Sequence, residues 1–287
     1  MKIVLIVPAL NEAAAVGDLV RRVPRDIVDE VIVVDNASTD RTAAVAREAG
    51  ARVVSEPRRG YGAACFAGVT AISADAGIAV FIDADGSQRP EEIPQVVAPI
   101  VAGRADLVLG ARALDEHHPV HAAAGTRLVA RFVAWRWRVS ITDFGPLRAI
   151  RADLLRRLRM RDRASGWPVE MVIKAAVLGA RIVEVPVSHS PRIAGRSKVS
   201  GTLRGTVRAG YGFLSAVLRA SRDVSCAQAA QASSPSRSAI VWLPMRTVAS
   251  QVIAIASFTL WCAGQPSGWR RSARSVASRA STGTARS

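Results

Sequence analysis

Two carboxylates one residue apart, Asp83 and Asp85, follow the apolar run 78–82, where a buried strand meets solvent. On an extended strand they would face opposite sides, but at a strand-to-loop corner the backbone can turn both toward one point. Hard oxygen ligands there suit Mg²⁺ or Mn²⁺, and such an ion grips a diphosphate. A solvated turn is the plain alternative, because Asp is common after strands. What favours the ion is the set of polar residues at the other strand ends.

Pro8, Ala9, Asn11 and Glu12 close the first apolar run, and Asp35, Asn36, Ser38 and Asp40 close the second. A nucleotide suits that edge. Asp35 can accept from a base imide or a ribose hydroxyl, whereas Ser38 or Asp40 reads as the cap of the next helix. Arg58, Arg59, Gly60, Tyr61 and Gly62 follow the third run and open a helix; the glycines permit close backbone approach and the arginines suit phosphate. Cys65 stands where a dinucleotide fingerprint needs its third glycine, and no Walker A sequence occurs, which argues against dehydrogenases and P-loop enzymes.

The elements that must position these residues alternate. Strands are expected at 3–7, 31–34, 52–55, 78–82 and 107–109, with helices near 19–23, 43–49, 63–74 and 93–101 between them. This predicts an α/β fold with a mostly parallel, Rossmann-like sheet covered by helices on both faces. In such sheets ligands collect at the carboxyl ends of the strands, where Asn11, Asp35 and Asp83 sit. Beyond 111 the alternation weakens into a polar loop with His117, His118 and His121, a helix over 127–138 and a strand over 181–187. Trp135 and Trp137 are two apart and cannot share a helix face, so one of them is expected at an interface, with Arg131 and Arg138 beside it. His189 reads as an accommodated side chain rather than a metal ligand.

The 287 residues carry 39 Lys+Arg against 23 Asp+Glu, a formal +16, which favours anionic partners: nucleic acid, anionic lipid headgroups or phosphorylated substrates. Cys65, Cys226 and Cys262 have neither zinc nor disulfide spacing, which fits a reducing, cytoplasmic setting. Residues 1–222 read as the catalytic body and 223–287 as a Ser/Ala/Arg-rich tail with seven Arg and one Asp. Within the tail, 247–264 is an uncharged but mildly apolar run, weak as a membrane span; the rest reads as disordered.

Taken in order, VPALNE (7–12), VVDNASTD (33–40), RRGYGAA (58–64), DADGSQRPEEIP (83–94), LGAR (109–112), DFGPLRAIR (143–151), GWPVEM (166–171) and the run 184–205 are similar to landmarks of a known family. Over about 2–218 the chain resembles inverting family 2 glycosyltransferases of GT-A fold, particularly dolichyl- and polyprenyl-phosphate sugar synthases. The resemblance implies that Pro8, Ala9, Asn11, Glu12, Asp35, Arg59 and Gly60 lie around the nucleotide, and that Asp83 and Asp85 hold the metal. Ser87 departs from it: some relatives have a Gln ligand there, and Ser would make a weaker or water-mediated third ligand. Arg112 and Arg127 match arginines that grip an acceptor phosphate, and Arg192, Arg196, Ser197 and Lys198 match a basic loop over donor and acceptor.

The implied reaction moves a hexose from a nucleotide sugar, UDP-glucose or GDP-mannose, to a polyprenyl or dolichyl phosphate, with Mg²⁺ or Mn²⁺, on the cytoplasmic face of a membrane. A phosphate acceptor, with a second pKa of about 6, needs no general base. A glycan or small-molecule hydroxyl would need one, with Asp143 or Glu170 as the candidate; Glu170 can instead position the donor sugar. A third reading is a non-catalytic basic membrane- or nucleic-acid-binding protein on an inherited scaffold, against which the intact carboxylate pair and donor motifs speak; no nucleic-acid partner is expected.

Overall fold

A computed structural model describes residues 1–112 and 120–193, the side chains of 120–128 excepted. All of these belong to the first of the two units into which the chain divides, Met1–Trp242. The body begins β1 (Lys2–Ala9), α1 (Val16–Arg21), β2 (Glu30–Asp35), α2 (Thr42–Glu48), β3 (Arg52–Ser55), α3 (Tyr61–Ala71) and β4 (Ala76–Phe81). After a 3₁₀ turn at Pro90–Glu92 come α4 (Ile93–Val101), β5 (Leu107–Arg112), α5 (Val120–Trp137), β6 (Arg148–Arg151), α6 (Ala152–Leu158), α7 (Trp167–Val177) and β7 (Ile182–Val187). The seven strands form one sheet in the order β3-β2-β1-β4-β6-β5-β7.

The period of two along the strands divides the core. Val4, Ile6, Ile32, Val34, Ala79 and Phe81 enter one apolar layer with Ala64, Trp167 and Val172, while Ile3, Leu5, Val7, Val31, Val33, Ile78 and Val80 enter the other with Val16, Leu19, Ile93 and Val96. Helices thus cover both faces, so these strands are apolar throughout rather than alternating.

Chain order places the site. β1 pairs in parallel with β2 on one side and with β4 on the other, so the chain reverses its direction of travel across the sheet beside β1. The residues following β1 and β4 therefore face each other across a switch point, where α/β sheets bind ligands. β6 is the exception to the parallel arrangement: it pairs antiparallel with both β4 and β5. The sequence reading lacks β6, α6 and α7, and it starts α5 too late, since His121 falls within the helix rather than in the preceding loop.

The return into β6 is tight. Gly110 donates its N–H to Leu147 O at 2.8 Å, and a Cβ on Gly145 would overlap the carbonyl of Gly110. The expected tail 223–287 and its run 247–264 lie outside the described residues. Among the described residues, no helix is long and apolar enough to cross a membrane.

The Gly145 contact is with backbone, which cannot swing aside. Gly145→Ala is expected to lower unfolding free energy by about 1–3 kcal/mol. A urea melt in which the midpoint stays in place would contradict the packing described.

Candidate active site at the carboxyl ends of β1, β2 and β4

The loops after β1 and β2 are tied together by side chains. Asn11 donates its N–H to Ser38 Oγ at 3.0 Å, and its own Oδ1 accepts the Thr39 N–H at 2.8 Å. Glu12 N–H donates to Thr42 Oγ1 at 2.8 Å. Asp40 accepts the Thr42 N–H at 2.9 Å and the Ala13 N–H at 3.2 Å, but the N-cap of α2 is Arg41, without a side-chain cap, so neither Asp40 nor Ser38 is the cap expected of it; Ser38 serves the neighbouring loop. Asn11 and Ala37 hold positive φ values of 52° and 59°, a local strain maintained by this lacing.

Asn36, which the sequence reading passed over, is the central tie. It is buried, donates its N–H to Ala9 O at 2.8 Å and its amide to Glu56 O and Arg58 O at 3.1 and 2.6 Å, and accepts the Gly60 N–H at 2.8 Å. One residue thereby joins the ends of β1, through its backbone, and of β3, through its side chain, to the approach to α3. Asp35 accepts the Ser38 N–H at 3.2 Å through Oδ1. Pro8 is half-buried and Ala9 is buried beside this edge.

The glycines before α3 have a different role from the one their type suggests. Cβ atoms on Gly60 and Gly62 would overlap the carbonyls of Arg163 and Asp162, and the Gly62 and Ala63 N–H groups donate to Ala164 O and Arg163 O at 2.9 and 3.0 Å. The first turn of α3 is therefore closed by protein carbonyls, and its glycines admit a neighbouring backbone rather than a phosphate. Arg58 and Arg59 stay exposed.

At the end of β4, Asp85 is buried and accepts the Ser87 N–H at 2.9 Å through Oδ1. Its Oδ2 lies 3.2 Å from Arg192 Nη2, which also donates to Glu12 Oε1 at 2.8 Å. Asp83 Oδ1 is buried with no hydrogen-bond partner. Burial first, then the neighbouring Asp85 charge, pushes the Asp83 carboxyl up to about 6, against the opposing pull of Arg148, Tyr61 and Arg192. Two hard carboxylates in mutual repulsion, one with an orphaned buried oxygen, fit a small dication. Ser87, also buried, accepts from Gln88 Nε2 at 2.7 Å, and Gln88 Nε2 lies 3.2 Å from His189 Nδ1. Among the described residues no three His, Cys, Asp or Glu side chains cluster as a metal site.

Arg112 and Asp143 are brought together as a fork: Nε to Oδ2 at 2.7 Å and Nη2 to Oδ1 at 2.8 Å. Burial works to raise the Asp143 carboxyl, but the hydrogen bonds and charge of Arg112 outweigh it and hold the group below the usual range. An anion so stabilised is a poor proton acceptor. Glu170, the other base candidate, accepts N–H groups of Arg161 and Asp162 at 2.9 and 2.7 Å and pairs with Lys174 at 2.6 Å. The structure thus gives it the work of holding the 161–162 backbone. Arg127 lies on α5 with its side chain outside the description; Arg196, Ser197 and Lys198 lie outside the described residues.

Comparison with known proteins gives a consistent picture. The model of the family described as glycosyl transferase family 2 matches residues 4–158. A Mycobacterium tuberculosis protein described as an uncharacterized glycosyltransferase is 42% identical over 207 residues, which cover 71% of this chain and 93% of that one. The undecaprenyl-phosphate mannosyltransferase of Micrococcus luteus is 32% identical over 222 residues, 71% of this chain and 90% of its own. Among solved structures, glucosyl-3-phosphoglycerate synthase from M. tuberculosis, in complex with Mn²⁺, UDP-glucose and phosphoglyceric acid, superposes with a TM-score of 0.63 at 26% identity, covering 76% of this chain and 79% of that one.

The raised Asp83 carboxyl has a signed consequence for stability. Between its ordinary value of 3.8 and about 6 the folded chain binds more protons than the unfolded one, so stability falls as pH rises through that window and stays lowered above it. Asp83→Asn removes the charge. With chelator present, the variant is expected to be more stable than the parent at pH 7 by about 1–2 kcal/mol, the difference vanishing near pH 4. Parallel urea melts at the two pH values check this; a destabilised variant at pH 7 would contradict the electrostatics.

Proposed function

The chain belongs to glycosyl transferase family 2, and from that premise we propose that it transfers a hexose with inversion from a nucleotide sugar, UDP-glucose or GDP-mannose, to a polyprenyl phosphate, using Mg²⁺ or Mn²⁺. The observation that carries this reading is the Asp83/Asp85 corner, with its unpartnered buried oxygen, across the switch point from Glu12. A divalent ion bound there neutralises charge on the departing diphosphate. Asp83 and Asp85 would hold it, Asp35 and Glu12 would border the nucleoside, and Arg192, paired with Asp85 and Glu12, would meet the diphosphate. The nucleophile enters from the face of the sugar opposite the leaving group, which inverts the anomeric centre.

The acceptor assignment rests on the two base candidates. Asp143 is stabilised as an anion by Arg112 and Glu170 is committed to backbone, so neither is placed to take a proton from a hydroxyl. A phosphate with a second pKa of about 6 is already ionised at neutral pH and needs no such group. Asp143 fixes Arg112 through Nε and Nη2, which leaves Nη1 for a phosphate oxygen, with Arg127 as the second guanidinium. The name of the Micrococcus relative supports a polyprenyl carrier. A lipid acceptor places the protein at the inner membrane surface, and Trp135, 58% exposed between exposed Arg131 and Arg138, suits headgroup contact. Trp137 is the buried member of the pair.

A second reading has specific support: the synthase complex with phosphoglyceric acid favours a small phosphorylated acceptor. The two separate in one assay. Full-length protein with Mn²⁺ and radiolabelled UDP-glucose or GDP-mannose is offered polyprenyl phosphate, polyprenol or 3-phosphoglycerate. Label is expected in the organic phase with polyprenyl phosphate alone, and Asp85→Asn is expected to reduce it about 100-fold or more. Label on phosphoglycerate alone would overturn the lipid assignment, and transfer indifferent to chelator would overturn the metal.

A further inference from the structure

Arg192 stands between two carboxylates rather than beside one. Its Nη2 contacts both Glu12 Oε1, at 2.8 Å, and Asp85 Oδ2, at 3.2 Å, while its Nε is buried with no hydrogen-bond partner. The segment that carries it is fixed to the carboxylate loop and its flank. Ser188 N–H donates to the Glu92 carboxylate at 3.0 Å, Ser190 N–H to Ser87 O at 2.9 Å, and Ile193 N–H to Asp85 O at 3.1 Å. Ile193 lies over Gly86, where φ is +75° and a Cβ would overlap its side chain. Arg192 is therefore held at this position by its neighbours on both sides, with its side chain only 27% exposed.

Asp85 Oδ2 is claimed by the guanidinium, and a divalent ion held by Asp85 would compete for the same carboxylate. A guanidinium does not lose its charge at any working pH, so an ion arriving alone meets a resident cation and must displace or tolerate it. A diphosphate reverses the balance. It brings negative charge to the ion and offers the arginine fork oxygen acceptors, including one for the unpartnered Nε. We propose that Arg192 is a resident counter-ion of the metal corner, and that it makes the site bind a divalent ion and a nucleoside diphosphate as a unit in preference to either alone. This rests on the glycosyltransferase reading above and adds to it the form in which the donor is taken: the metal–nucleotide complex. In thermodynamic terms the two ligands are positively coupled through Arg192, and the coupling is reciprocal.

The test uses the full-length chain without sugar or acceptor. Mn²⁺ binding is measured by the paramagnetic resonance signal of the free ion, first alone and then with saturating UDP or, separately, GDP. For the parent, Mn²⁺ alone is expected to bind weakly and to tighten strongly with the matching nucleotide. Arg192→Gln removes the charge at similar reach: Mn²⁺ alone should bind about tenfold tighter than to the parent, and the gain from nucleotide should shrink. Arg192→Lys keeps charge but loses the fork, so Mn²⁺ alone should stay weak while the nucleotide gain falls. Thermal melts check that each variant is folded. Unchanged or weaker Mn²⁺ binding by a folded Arg192→Gln, or an Arg192→Lys that behaves like it, overturns the counter-ion. Absence of Mn²⁺ binding to the parent with either nucleotide overturns the metal reading and this inference together, whereas tight parent binding that position 192 does not affect overturns this inference alone.

Discussion

The repulsion between Asp83 and Asp85 is the constraint around which the remainder of the site is arranged. Two carboxylates at the mouth of a buried sheet are tolerated only with cations and donors around them. Three segments supply these. Tyr61 is the first residue of α3, and its hydroxyl accepts from Arg148 Nη2 at 2.9 Å. Arg148, itself buried, opens β6 opposite Phe81 of β4, its guanidinium 6.0 Å from that ring. Arg192 comes from the segment after β7. Arg148 has no ion pair among the described residues; it meets the Tyr61 hydroxyl, the Pro146 carbonyl and the Phe81 ring, and its charge acts on the nearby Asp83 carboxyl. The antiparallel strand, an irregularity in the sheet, is therefore the element that brings a fixed positive charge under the Asp83/Asp85 corner. Burial raises the Cys65 thiol to about 12, so this neighbour remains an inert packing group at neutral pH.

Other acidic residues hold backbone in place. A backbone N–H buried without a partner is costly, and several carboxylates here exist to accept such groups. Glu170 takes two N–H groups from the 161–162 turn, Asp162 takes those of Ala164 and Gly166, and Glu184 takes those of Thr142 and Asp143. The turns thus fixed are the ones that close α3 and present Asp143 to Arg112. Structural carboxylates support the reactive corner without entering it.

Much of this frame was legible in the sequence, for identifiable reasons. β1, β2 and β4 are unbroken apolar runs because both faces of the sheet are covered, and the Asp-x-Asp at the end of such a run marks the corner directly. β6 was hidden because Arg148–Arg151 has arginine at both ends of only four residues, and an arginine in a central strand makes sense only once Tyr61 and Asp83 are in place. Asn36 was passed over because its four bonds reach Ala9, Glu56, Arg58 and Gly60, partners brought together by folding. Gly60 and Gly62 signalled a close approach correctly, yet glycine does not say what approaches: here it is the backbone of 162–164.

The Arg112–Asp143 fork shows how stability and function divide at this site. A buried ion pair contributes little net stability, since desolvation consumes most of the attraction. What it supplies is direction. With Nε and Nη2 engaged and Glu184 gripping the Thr142 and Asp143 N–H groups, the guanidinium plane is set by the protein itself, so under the proposed acceptor reading a phosphate would not meet the entropic cost of ordering a long side chain. The carboxylate that does this is removed from proton chemistry by the same contacts. Under the acceptor reading proposed above, a nucleophile already ionised would lose nothing by that arrangement, whereas a hydroxyl would find this acid spent on orientation, and that asymmetry is what the geometry of β5 and its neighbouring turn contributes in support of a phosphate acceptor.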